Sequence, residues 1–112
     1  MAKQFKVAIG PTADTERDAI LVYHRNKYGS ENASRLYIKL LSLLEELELR
    51  PLSKPIVFIP NRAFKYQYRF ALVSGTYKIV YRVIPNRGLV YVISVRHKKK
   101  DSSSLIQLIE QE

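Results

Sequence analysis

Along the start of the chain, Phe5, Val7 and Ile9 alternate with polar or small residues. That period of two predicts a strand over Lys3–Ile9. Gly10-Pro11 ends it. Thr12 or Asp14 is positioned to cap a helix, and Asp14, Glu16 and Asp18 put acid in its first turns, where the helix dipole favours it. Ala19, Ile20, Val22 and Tyr23 form its apolar side, and Gly29 is a natural stop. Ser30 is the expected cap of a second helix. Its stripe is Ala33, Leu36, Tyr37, Leu40, Leu43, Leu44 and Leu47, and Pro51 ends it near Leu49. So short a link predicts antiparallel helices. Neither buries its stripe without a sheet or a partner.

Pro51, Pro55 and Pro60 make residues 50–65 irregular, with Ile56–Ile59 a short extended piece. Three strands are predicted next, over 66–74, 76–84 and 89–96. Ser74-Gly75 and Pro85-Asn86-Arg87-Gly88 supply the turns. Ser102 is the expected cap of a last helix with Leu105, Ile106, Leu108 and Ile109 on one side. The expected fold is therefore α+β, in the order β-α-α-β-β-β-α. It is a mainly antiparallel sheet with the N-terminal helical hairpin on one face and a short C-terminal helix, all in one domain.

Strand side chains alternate faces, so turn length decides which residues share one. A two-residue turn near Ser74-Gly75 places Arg69, Lys78 and Arg82 together, while a three-residue turn separates them. The turn at 85–88 then adds Tyr91, Ile93, Val95 and His97 to the cationic face. Tyr68, Phe70, Tyr77, Ile79, Tyr81, Val90 and Val92 fall to the face assigned to the helices. The alternative for Tyr91 and Ile93 is burial beneath the last helix.

Charge sharpens this picture. The 112 residues carry a net +9, and residues 51–112 hold eleven Lys/Arg against three Asp/Glu. From Arg62 to Lys100 no acid interrupts ten basic residues. Such a stretch predicts a polyanion partner, nucleic acid or an acidic protein, ahead of a merely solvated face. The nucleic-acid-binding candidates are Arg62, Lys65, Arg82, Tyr91, Arg96, Lys99 and Lys100. The absence of cysteine rules out disulfides and thiolate metal sites. With no apolar run of membrane-spanning length and no signal-like start, the expectation is a cytoplasmic protein without a membrane partner.

The two histidines, His24 and His97, lie on separate predicted elements, no glycine-rich phosphate loop occurs, and no motif places a nucleophile. Neither a metal nor a cofactor is expected. Metal-free RNA cleavage does fit the inventory. It needs a base for the 2′-hydroxyl, cations for the crowded phosphorane and an acid for the leaving oxygen. His97 titrates in the range for base or acid. Arg69, Lys78, Arg82 and Lys98 are the candidate cations, and Tyr91 or Tyr81 the surface on which a base stacks.

The stretch SGTYKIVYRVIPNRGLVYVISVRHKKKD, residues 74–101, resembles the RelE/ParE family of small bacterial and archaeal toxins from type II toxin–antitoxin pairs. Tyr77-Lys78-Ile79-Val80-Tyr81 and the VISV strand look like the RelE branch. Tyr23, Tyr28-Gly29, Ala33, the leucine helix with Pro51, and His97 followed by basic residues and Asp101 look more like ParE. The resemblance implies a cognate antitoxin that wraps the sheet. RelE-type members cut mRNA in the ribosomal A site without metal, and ParE-type members poison DNA gyrase. Carried over by position, Arg69 and Lys78 match basic residues of the RelE site, Lys98 matches its late arginine, and His97 lies near a histidine of some ribosome-dependent members. Ala71 and Ser104 depart from the pattern, standing where RelE has a lysine and a tyrosine. The leading expectation is ribosome-dependent mRNA cleavage with His97, Arg69, Lys78 and Lys98 as the catalytic set. The alternatives are a ParE-like gyrase inhibitor and a non-toxic RNA-binding module.

Overall fold

A computed structural model describes residues 4–112. The elements are β1 (Lys6–Ile9), α1 (Pro11–Tyr28), α2 (Ser30–Leu49), β2 (Arg69–Val73), β3 (Tyr77–Ile84), β4 (Leu89–His97) and α3 (Ser102–Glu110), with 3-10 turns at Pro51–Ser53 and Pro85–Arg87. The expected start of the first strand at Lys3 lies outside the described residues.

The α+β order matches the expectation. Its caps differ. α1 starts at Pro11 with Gly10 as N-cap and no side-chain cap bond, because Pro pre-sets φ at the first helical position. Thr12 and Asp14 lie inside the helix. The break before α2 falls on Gly29, whose φ of +97° suits glycine, so Ser30 is helical rather than a cap. α3 is capped by Asp101, whose carboxylate accepts from the Ser103 N–H, and Ser102 is its first helical residue.

The sheet order is β1-β4-β3-β2, with β1 parallel to β4 and the other pairs antiparallel. Leu36, Leu40 and Leu47 of α2 pack with Ala13 of α1 on Val73, Tyr77, Ile79, Tyr81, Val90, Val92 and Val95. This is the main core. Within it the Tyr81 hydroxyl donates to the Pro51 carbonyl at 2.5 Å, and burial pushes that phenol up to about 12. The opposite face carries a second cluster, Tyr68, Val80 and Ile93, closed by Leu105 and Ile109 of α3. Helices therefore cover both faces. Among the described residues no helix is long and apolar enough to cross a membrane.

Two local features overturn the expected sharing of faces. The β2–β3 turn has three residues, since Val73 pairs with Tyr77. Arg69 then pairs with Tyr81 on the helical-hairpin face, away from Lys78 and Arg82. Tyr68 and Phe70 move to the α3 face. In β4, Val80 pairs with Ser94 but Tyr81 with Val92, so Ile93 is an extra residue. A bulge of one residue inverts the alternation beyond it. Val95 and His97 therefore face the helical hairpin, whereas Tyr91 and Ile93 lie beneath α3.

Candidate functional site

The predicted cations are spread over both faces, and several are already engaged. Arg69 donates to the Lys54 carbonyl at 2.6 Å and to Gln67 Oε1 at 3.2 Å. Lys78 lies on the α3 face, with Nζ 5.4 Å from the Phe70 ring centroid. Burial, and then the charge of Arg96, lower its pKa. Arg82 sits 3.9 Å over the Tyr66 ring, and its buried Nε lies 3.4 Å from Glu112 Oε1 as an ion pair, with no hydrogen bond among the described residues. Arg62 pairs with Glu110 at 3.2 Å, and Lys65 lies 5.2 Å from the Tyr66 centroid.

Arg96 is 4% exposed. It donates to Ser94 Oγ and Ser104 Oγ, each at 2.9 Å, tying β4 to α3 instead of meeting a partner. Tyr91 is half-buried beneath α3. Lys100 lies 3.7 Å from Glu16, while Lys98 and Lys99 are exposed on the turn after β4.

The expected catalytic set is therefore not brought to one place. Arg69 and His97 share a face but stand two strands and four positions apart, roughly 16 Å by strand geometry. Lys78 is on the other side of the sheet.

His97 instead lines a cleft with His24, Tyr77 standing between them. His97 pairs with Tyr77 across the β3–β4 ladder, and their rings are edge-to-face at 5.8 Å. His24 Nε2 lies 2.7 Å from the Tyr77 hydroxyl, and its Nδ1 lies 2.8 Å from Asn32 Oδ1. An amide oxygen only accepts, so Nδ1 carries a proton and, in the neutral ring, Nε2 accepts from Tyr77. Burial raises the Tyr77 phenol, assisted by Tyr23 and Tyr28.

Tyr23, His24, Tyr28, Asn32, Thr76, Tyr77 and His97 enclose a cleft of about 410 Å³. An adjoining cavity of about 200 Å³ shares His24, Asn32, Thr76 and Tyr77 and adds Arg35 and Lys39. Lys27 donates to the Tyr23 hydroxyl, which raises its pKa, and lies 5.5 Å from the centroids of both Tyr23 and Tyr28. Among the described residues no third His, Cys, Asp or Glu joins a histidine pair to form a metal-binding group.

The separation of His24 and His97 on different elements had argued against a joint site. The local signal for one side of the cleft was nonetheless present: Tyr23/Lys27 and His24/Tyr28 are spaced i, i+4, which puts each pair on one helix face. Tyr77 faces the helical hairpin as expected, and the bulge brings His97 to the same side.

Comparison with known proteins agrees with this architecture. The family model described as the ParE toxin of the type II toxin–antitoxin system, parDE, matches residues 7–102. A chain of the chromosomal ParDE toxin–antitoxin system from P. aeruginosa superposes with a TM-score of 0.66 at 12% sequence identity. The match covers 86% of this chain and 98% of that one. No curated protein sequence matches. At that identity the structural likeness speaks for the fold alone. The family model spans most of the sequence, and the chain belongs to the ParE toxin family of type II toxin–antitoxin systems.

Proposed function

We propose that this toxin acts by binding its target rather than by cutting RNA, in the manner of ParE-type poisoning of DNA gyrase in the cytoplasm of a bacterium or archaeon. The observation that carries the reading is the dispersal of His97, Arg69 and Lys78. Cleavage of ribosome-bound mRNA needs acid, base and cation around one phosphate. Here roughly 16 Å separates Arg69 from His97 by strand geometry, and the sheet lies between His97 and Lys78. The Arg69 guanidinium is also committed to the Lys54 carbonyl.

A cognate antitoxin completes the proposal. The excess of positive charge in residues 51–112 favours an acidic inhibitor segment. The test is induced expression with parallel pulse-labelling of DNA and protein synthesis, followed by a gyrase supercoiling and cleavage-complex assay on purified toxin. The expected result is early loss of DNA synthesis and accumulation of cleaved DNA–gyrase complexes. Early loss of translation, with mRNA cut at ribosome-protected codons, would reject the proposal and restore the cleavage reading.

A further inference from the structure

We propose that the cleft between α1 and the end of β4 is a nucleotide site. It takes one base of a single strand against its aromatic rings and the adjoining phosphate on its cations. This does not depend on gyrase being the target, because it concerns a ligand of the isolated protein.

Three observations converge. The first is the wall. Tyr77 and His97 stand at 80° to one another, and Tyr23 and Tyr28 at 82°. Tyr23 and Tyr28 are 50% and 54% exposed, a large aromatic area for a surface helix to leave open. Flat exposed rings accept any base by stacking.

The second is the sign of the field. Among the described residues no carboxylate lines the cleft or its adjoining cavity, whereas Lys39 and Arg35, the latter paired with the exposed Glu31 at 3.4 Å, line the cavity and Lys27 sits over the two tyrosines. The Lys98 N–H donates to the Thr76 carbonyl at 2.8 Å, which fixes the start of the basic 98–100 turn at the rim. A cationic ligand is disfavoured here and a phosphate favoured.

The third is hydrogen bonding. The Lys99 N–H donates to His97 Nδ1 at 3.1 Å, so the neutral His97 ring carries its proton on Nε2. That leaves a donor for a phosphate or base carbonyl. The Asn32–His24–Tyr77 chain fixes the orientation of the Tyr77 ring without using His97. The cleft volume of about 410 Å³ falls within the range of small-ligand sites. An acidic peptide is the weaker occupant, since the walls are flat rings with polar edges rather than an apolar groove.

The chain has two histidines, and both line this cleft. Histidine-ring NMR signals therefore report on it alone. The full chain would be titrated with pdTpdT, with pUpU, with inorganic phosphate and with an acidic hexapeptide. Saturable shifts of both histidine rings with a dinucleotide are expected. Tyr23→Ala and Tyr28→Ala, each at an exposed helix position, should weaken binding about five-fold or more, the low end for base stacking. Lys27→Gln should flatten its salt dependence. The ratio of pdTpdT to pUpU affinity assigns the strand as DNA or RNA, and either supports a nucleotide site. Four results would overturn it: histidine signals that stay still at millimolar dinucleotide, equal shifts with inorganic phosphate, shifts from the acidic peptide alone, or unchanged affinity in both tyrosine variants.

Discussion

β1 ends at Ile9 opposite Val92, and Gly10 extends the contact by one N–H bond to the Val92 carbonyl. Beyond that point the outer edge of β4 has no strand partner among the described residues, and the bulge at Ile93 lies there. Glu16, one turn into α1, takes the strand's place. Its Oε1 accepts from the Ser94 hydroxyl at 2.8 Å and from the Val95 N–H at 3.1 Å, and its side chain is 18% exposed. Glu16→Ala would orphan both donors in a buried setting. A hydrogen bond to a charged group contributes about 1.5–3 kcal/mol. Taking the low end twice gives a loss of about 3 kcal/mol, and the partly exposed pair with Lys100 adds little.

Unfolding entropy scales at about 2.1 cal/mol/K per residue, or about 0.24 kcal/mol/K for a chain of this length, so melting should fall by about 13 °C. Glu16→Gln keeps the accepting oxygen without the charge and should lose about half as much. Calorimetry on the wild type, Glu16→Ala, Ser94→Ala and the double variant isolates the coupling. A drop below about 4 °C for Glu16→Ala would refute the reasoning, because it would mean that the bulge holds itself without α1.

Gly10→Ala should cost about 1–3 kcal/mol in thermal or denaturant melts, because a Cβ there would stand 2.7 Å from the Tyr91 hydroxyl and 3.0 Å from the Val92 carbonyl. Adding Tyr91→Phe should recover part of that loss, leaving the backbone clash. Hydrogen bonds from the Ser103 backbone N–H and hydroxyl hold the Asp101 carboxyl below its ordinary 3.8. A depressed folded pKa contributes stability that is complete above the unfolded value and is lost as pH falls below that value and through the folded one. α3 amides followed by NMR should therefore lose their helical shifts as acid is added below about pH 4, and Asp101→Asn should remove this pH dependence. In an alkaline titration read at 295 nm, Tyr81 should ionise only near 12 and Tyr68 later still, because burial raises both. The unfolded chain releases those protons first, so stability should decline as pH rises past about 10.

Much of this fold was legible along the chain. The helices ended where Gly29 and Pro51 required, and the leucine stripe of α2 found the sheet face carrying Tyr77, Ile79, Tyr81, Val90 and Val92. The failures came from counting by twos. A period of two carries information only relative to a starting phase, and each added residue reverses it. The third turn residue, Thr76, reversed β2 against β3, which moved Arg69 to one side and Tyr68 and Phe70 to the other. The extra Ile93 reversed the end of β4. Neither insertion leaves a compositional mark: Ser74-Gly75-Thr76 reads as well with two turn residues as with three, and VISV is apolar in either phase. His24 was passed over because its partners, Asn32 and Tyr77, are brought to it by α2 and β3 respectively. Only tertiary structure joins them.

Charge was misread for a related reason. The acid-free run from Arg62 to Lys100 looks like one continuous cationic face, but two of the three acids that follow it return to it in space. Asp101 caps α3, Glu110 pairs with Arg62, and Glu112 pairs with Arg82 while accepting from the Tyr68 hydroxyl. The end of the chain thus carries two carboxylates back onto the basic stretch, Glu110 to the segment before β2 and Glu112 to β3. It also buries Tyr68 and Ile93 and covers part of Tyr91, which had looked like open stacking surface. Exposed cations remain at Arg62, Lys65 and Arg87 and on the turn at Lys98 and Lys99, and the helical hairpin adds Lys27, Lys39 and Arg35, the last paired with Glu31 at 3.4 Å. That half of the chain is nearly neutral by count. Net charge along a sequence therefore points to a polyanion partner without locating it. The location depends on which acids pair with those cations in space, and the site proposed for it is the histidine–tyrosine cleft rather than the basic hairpin.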